Sequence, residues 1–81
     1  ALDAIKIYPN PTSDFSRISF GTAIFEAIEI SVYDLLGKVV LNSYQKEDTH
    51  ILLDLRALPP GNYTVDLRLG SAHFEGKLIK K

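Results

Sequence analysis

The feature that most constrains this chain is a two-residue alternation of apolar and polar side chains between its turns. This period is typical of half-buried β-strands, with one face against a core and the other in water. No segment carries apolar residues at helical spacing over three turns. Seven strands are predicted, with inward positions at Ile5 and Ile7; Ile18 and Phe20; Ile28, Ile30 and Val32; Val39 and Leu41; Ile51, Leu53 and Leu55; Tyr63, Val65, Leu67 and Leu69; and Phe74, Gly76 and Leu78.

Turn residues, including a polar run over residues 45–49, interrupt these segments at regular intervals. Seven short antiparallel strands of this kind predict an all-β, immunoglobulin-like sandwich, with a small barrel as the main rival. Gly37 is expected in the left-handed conformation that closes a hairpin, with Asp34 accepting backbone N–H groups. The pair Pro60-Gly61 suits a type II turn. Tyr63 is placed to bond to upstream backbone, as in a tyrosine corner.

Near the start of the chain, prolines limit the first strand. Pro9 and Pro11 cannot donate to a β-ladder, so this strand must end there or lie on a sheet edge. Residues 10–14 are rich in oxygen ligands but lack the spacing of a calcium loop. An Asx-type turn is therefore favoured over a calcium site.

Length, charge and cysteine content limit the classes of protein to which this chain can belong. The 81 residues are expected to form one domain, 1–81, cut from a longer protein, with no signal peptide at Ala1. Nine basic and ten acidic residues argue against a nucleic-acid or membrane-surface binder. No apolar run approaches the roughly 18 residues that span a bilayer. With no cysteine, the fold must rest on its core alone.

Side chains that could support catalysis are scattered. His50 and His73 lie 23 residues apart and belong to no metal-spaced cluster. Asp34, Asp54 and Asp66 fall at a turn or on outward strand positions, where solvation is their ordinary role. The sequence therefore predicts no enzyme and no catalytic, cofactor or metal site.

The apolar pair Leu35-Leu36 stands at a hairpin tip, where polar residues are expected. The favoured interpretation is that both leucines fold over the open end of the sandwich and plug its core. The alternative is an exposed apolar knob that docks a partner.

The last strand carries Lys77, Lys80 and Lys81 close to the final residue. Edge lysines ordinarily protect a strand against edge-to-edge aggregation, and the strand pattern alone favours that interpretation. Edge, lysines and terminal carboxylate could instead form a docking element, since strand addition with carboxylate capture is a known recognition mode.

Four motifs follow one another along the chain: YPNP (residues 8–11), VYDLLGKVV (32–40), LPPGNYTVDL (58–67) and GKLIKK (76–81). In order, spacing and total length the chain resembles the type A C-terminal sorting domain of the type IX secretion system of Bacteroidota. The resemblance covers essentially all 81 residues.

The resemblance implies a non-catalytic, immunoglobulin-like secretion signal that follows a cargo domain in the same chain. Such signals pass through the periplasm and are recognised by an outer-membrane translocon and its shuttle protein. A surface sortase then removes the signal, leaving the cargo at the cell surface or outside the cell. No cofactor, nucleic acid or direct membrane insertion is implied.

The motif positions of the family can be matched to individual residues of this chain. The opening turn, hairpin and late turn of the family match Pro9, Asn10, Pro11, Asp34, Leu36, Gly37, Gly61 and Tyr63. The resemblance implies that the translocon or its shuttle protein recognises the closing strand, which here consists of Gly76, Lys77, Leu78, Ile79, Lys80 and Lys81. With this family in view, the docking interpretation of the closing strand is preferred over simple edge protection.

Two questions stay open at this level. The rival function is a non-catalytic accessory module that spaces another domain or binds glycan, for which Tyr33 and Tyr44 are the only plausible aromatic pair. The isolated domain could be a monomer or a dimer formed by edge pairing or strand swapping.

Deleting residues 76–81 from the parent protein is predicted to trap its cargo in the periplasm, because the closing strand would be lost. Fractionation of the truncated parent measures this, and normal surface display would contradict the sorting hypothesis.

Overall fold

The computed structural model describes residues 5–20, 27–47 and 49–81, and these form eight β-strands. Their bounds are β1 (Lys6–Tyr8), β2 (Phe15–Ser19), β3 (Ile28–Tyr33), β4 (Val39–Leu41), β5 (Gln45–Lys46), β6 (His50–Asp54), β7 (Gly61–Leu69) and β8 (Ala72–Lys80). The predicted all-β class is confirmed. Within those ranges no helix is long and apolar enough to cross a membrane.

The strands form two four-stranded antiparallel sheets, in the orders β1-β2-β6-β5 and β4-β3-β7-β8. In immunoglobulin nomenclature these orders correspond to strands A-B-E-D and C′-C-F-G, which is the arrangement of that sandwich. The prediction of an immunoglobulin-like sandwich is therefore confirmed. β1 ends immediately before Pro9 and lies on a sheet edge, as the prolines require.

Two details of the strand prediction are wrong. The polar run 45–49 contains β5, a two-residue strand that pairs with β6. Both of its residues are exposed, so it carries no apolar alternation that could identify it. Val39 is 44% exposed, because a register irregularity between Val32 and Tyr33 pairs it with the outward-facing Tyr33.

The core lies between the sheets and consists of residues that the alternation assigned inward. Each fully buried aliphatic side chain contributes about 1.5–3 kcal/mol to folding through its removal from water. The buried apolar residues among those described are Ile18, Phe20, Ile30, Val32, Ile51, Leu53, Leu55, Tyr63, Val65, Leu67 and Leu78.

The turns follow their predicted chemistry in two cases out of three. Gly37 has a φ of 83°, and Asp34 Oδ1 accepts hydrogen bonds from the amides of Leu36 and Lys38 at 2.9 and 3.0 Å. Tyr63 Oη donates to Pro59 O at 2.5 Å, which confirms the tyrosine corner. The prediction of a type II turn at Pro60-Gly61 is wrong, because Gly61 has a nearly extended φ of 159° and already begins β7.

Gly76 allows the two sheets to approach at one side of the sandwich. A Cβ atom at this position would lie 2.9 Å from Ile7 Cδ1 of β1 and 3.0 Å from Phe74 Cε2. Both distances are shorter than an ordinary carbon–carbon contact of about 3.5–4.0 Å. The glycine is therefore a packing requirement of β8.

Gly76→Ala is expected to lower the free energy of unfolding by about 1–3 kcal/mol, because the added methyl group overpacks the contact with Ile7 and Phe74. Urea denaturation followed by circular dichroism measures the change. Glu75→Ala, at the exposed neighbouring position, is the control and should have a much smaller effect. Adding Ile7→Val, which removes Cδ1, should recover part of the loss; an unchanged stability for Gly76→Ala would contradict this account.

Candidate functional site

The four sequence motifs meet at one end of the sandwich. The strap, which we define as residues 9–12, leaves β1 at the end where β8 finishes, and Thr12 forms a parallel bridge with Lys80. The hairpin tip (residues 34–37) and the turn before β7 line a shared cavity at this end. The register of β7 with β8, in which Gly61 opposes Lys80, brings the last strand there too. We call this region the motif end.

Asn10 joins the strap to the last strand through both atoms of its side-chain amide. Its Nδ2 donates to Lys77 O at 2.9 Å, and its Oδ1 accepts the amide of Ile79 at 2.9 Å. These partners lie 67 and 69 residues away in the chain. Asn10 therefore satisfies two backbone groups on the outer edge of β8, which an edge strand would otherwise leave to water or to another chain.

Thr12 continues the same edge with its backbone. Its amide donates to Ile79 O at 2.9 Å, and its carbonyl accepts the amide of Lys81 at 2.7 Å. Ser16 anchors the strap from β2, since its buried hydroxyl donates to Pro9 O at 2.6 Å. The strap thus covers the outer edge of β8 from Lys77 onward.

The favoured Asx-type turn over residues 10–14 is wrong, because the Asn10 side chain is used by β8. Thr12 provides the local turn instead: its Oγ1 donates to Phe15 O at 2.6 Å and accepts the amide of Asp14 at 3.4 Å. Among the described residues no group of three His, Cys, Asp or Glu side chains could hold a metal ion.

Lys80 turns inward, contrary to the exposed edge lysine that the pattern suggested. Its side chain is 7% exposed, and its Nζ donates to Leu58 O at 2.7 Å. Leu78, on the same face of β8, is fully buried in the core. Since side chains two apart share a face, the parity with Leu78 was the sequence signal for this orientation.

The remaining side chains of the closing strand point outward. Lys77, Ile79 and Lys81 are exposed, and Ile79 retains 43% of its accessible surface. The six sequence-predicted recognition residues therefore separate into an inward set, Gly76, Leu78 and Lys80, and an outward set, Lys77, Ile79 and Lys81.

The hairpin tip carries the most exposed large apolar residues of the described part of the chain. Leu35 is 77% exposed and Leu36 is 93% exposed, so the favoured expectation that they plug the sandwich is wrong. Both line a shallow cavity together with Asn62, whose register partner on β8 is Ile79. The leucines and Ile79 consequently lie on the two sides of Asn62 at the motif end.

The histidines and carboxylates make isolated pairs elsewhere. His50 contacts Glu47, and His73 contacts Asp66. The Arg56 side chain and amide donate to the exposed Asp54 carboxylate, which lowers the pKa of Asp54 to about 2. This arrangement resembles ordinary surface pairing more than a catalytic group, because neither partner is enclosed.

Two features of the site were not predicted from the sequence. The contact between the strap and β8 joins residues nearly the whole chain apart, and no local pattern signals such a pairing. The Lys80 to Leu58 hydrogen bond was also missed, although the alternation placed Lys80 beside Leu78 on the inward face.

The fold and the motif end define a class of small β-sandwich whose opening turn and last strand form one hydrogen-bonded unit. Residues 6–81 match the family model of the secretion system C-terminal sorting domain, and the chain belongs to that family. A search of curated proteins finds no match.

Membership makes the chain a C-terminal sorting signal of the type IX secretion system. Domains of this family are in general not catalysts, are attached to a cargo in the same chain and interact with the secretion machinery. The signal implies export of that cargo to the cell surface or the extracellular space.

Asn10→Ala is expected to lower the free energy of unfolding by about 1–2 kcal/mol, because it leaves Lys77 O and the Ile79 amide without their partner. Amide hydrogen exchange should accelerate about tenfold at Ile79. Asn62→Ala, at another exposed asparagine, serves as the matched control. Equal exchange of the Ile79 amide in both variants would refute the proposed role of Asn10.

Proposed function

We propose that this chain is a single-domain, non-catalytic signal that directs an N-terminal cargo across the outer membrane. The family match and the ordered motifs support this proposal. In this scheme the parent transits the periplasm, and the translocon and its shuttle protein bind the folded domain. A sortase then cleaves between cargo and domain at the cell surface.

The docking surface, in this proposal, consists of the outward side chains at the motif end: Leu35, Leu36, Lys77, Ile79 and Lys81. The observation that carries it is the exposure of the two leucines beside Asn62, which lies opposite Ile79. Exposed leucines at a tight hairpin tip contribute nothing to the core of the free domain. Clustered exposed apolar residues mark interaction sites in soluble proteins.

The inward set has a different task in this scheme. Leu78 fills the core, Lys80 bonds to Leu58 O, and Gly76 admits the side chains of Ile7 and Phe74. These residues orient β8 so that its outward side chains face a partner. Their substitution would affect recognition only through the fold.

The chemistry of the surface indicates the kind of partner site. Leu35, Leu36 and Ile79 require an apolar pocket, whereas Lys77 and Lys81 favour acidic groups at its rim. Such a site would fit the folded domain without opening the strap.

The deletion of residues 76–81 does not distinguish loss of recognition from loss of the fold. It removes the fully buried Leu78 together with the exposed lysines, so unfolding would also abolish sorting. Substitutions confined to exposed positions separate the two causes.

Leu36→Ser and Ile79→Ser are each expected to retain a reporter cargo in the periplasm, because they remove apolar contact with the partner but bury no new group. Surface display of a reporter fused before the 81-residue chain measures sorting in a bacterium with a type IX system. Thermal unfolding of the purified domain should change little, since both side chains are exposed.

Val39→Ser is the matched control for this experiment. Val39 is also exposed and apolar, but it lies on β4 outside the proposed surface. Normal display of all three variants would overturn the docking surface, while leaving membership of the sorting family untouched. Loss of display for Val39→Ser alone would equally contradict it.

A further inference from the structure

A groove of about 420 Å³ lies on the outer face of the sheet β4-β3-β7-β8. Its floor is formed by outward side chains of β3 and β7, and its wall by the chain that follows β4. The docking surface proposed above does not include this groove. Its polar and aromatic lining includes Glu29, Tyr33, Asn42, Tyr44, Asp66 and Arg68.

The floor of the groove carries charges that face each other without pairing. Glu29 on β3 is the register partner of Arg68 on β7. Within the described part of the chain neither residue forms an ion pair, although opposite charges at such positions are within reach of one another. Asp66 contacts His73 through Oδ1, which leaves its second carboxylate oxygen for another group.

The wall exists because β4 is short. β4 pairs with β3 only at Val32 and Tyr33. The residues that follow β4 pass beside the beginning of β3. Tyr44 is held there by its hydroxyl, which donates to Ile28 O at 3.1 Å. The two tyrosines singled out in the sequence, Tyr33 and Tyr44, are thereby brought to one groove.

We propose that this groove binds an uncharged sugar residue. Carboxylates accept hydrogen bonds from sugar hydroxyls, and the Arg68 guanidinium and Asn42 amide donate to sugar oxygens. Tyrosine supplies an apolar ring with a polar tip, which suits the mixed faces of a pyranose. Two carboxylates against one guanidinium give the lining a negative balance, which disfavours acidic sugars.

The groove is open, so the expected affinity is weak. A dissociation constant in the range of about 1 mM corresponds to a binding free energy of about −4 kcal/mol. The interaction would serve the domain at a glycan-rich surface, where local sugar concentration is high, and it is independent of docking at the motif end.

The test is an NMR titration of the 81-residue chain with maltotriose, mannobiose, cellobiose and lactose, each to about 10 mM. At least one sugar should shift the backbone amides of residues 28–33 and 66–68. Sialyllactose, which adds an acidic sugar to lactose, should give smaller shifts than lactose in these segments. Absence of shifts there with every neutral sugar would overturn the proposal, as would stronger binding of sialyllactose than of lactose.

Tyr44→Ala and Asn42→Ala are each expected to weaken the binding about tenfold or more, since each removes a side chain from the wall. Tyr8→Ala is the matched control, because Tyr8 is an exposed tyrosine of β1 outside the groove. A dispersed spectrum of each variant verifies the fold. Shifts that survive both wall substitutions, or that vanish in Tyr8→Ala, would contradict the assignment.

Discussion

The hydrogen bonds between the strap and the end of β8 are the interaction on which the motif end depends. Asn10 and Thr12 bind backbone groups of Lys77, Ile79 and Lys81, so the start and end of the domain form one unit. Without the strap, the outer edge of β8 would present unpaired donors and acceptors over these residues. The exposed side chains at the end of β8 are held in place because the backbone groups of this segment are hydrogen-bonded to the strap.

This arrangement explains how one strand can be both structural and accessible. The period of two along β8 sends alternate side chains to the core and to water. Leu78 and Lys80 are buried, whereas Ile79 between them is 43% exposed. The outward row is therefore accessible to solvent while the inward row keeps the sandwich closed. The neighbouring hairpin tip extends the outward surface with two leucines that the core does not need.

Much of the fold was predictable because it follows from local rules. The alternation identified every buried apolar residue described, and Asp34, Gly37 and Tyr63 adopted the turn contacts that their chemistry favours. The failures also have physical causes. β5 is too short and too exposed to carry a pattern, and the register irregularity in β3 reverses the face of Val39. Gly61 extends β7 because its pairing with Lys80 outweighs the local turn preference.

The sequence by itself determined seven of the eight described strands, the all-β class, the set of core residues and, through its ordered motifs, the family of sorting domains. Each of these depends on neighbours in the chain or on motif order. Only the tertiary structure decided that Asn10 binds β8, that Leu35 and Leu36 stand in solvent and that Tyr33 and Tyr44 share a groove. These outcomes depend on which strands lie side by side, and residues far apart in the chain carry no local signal of that proximity.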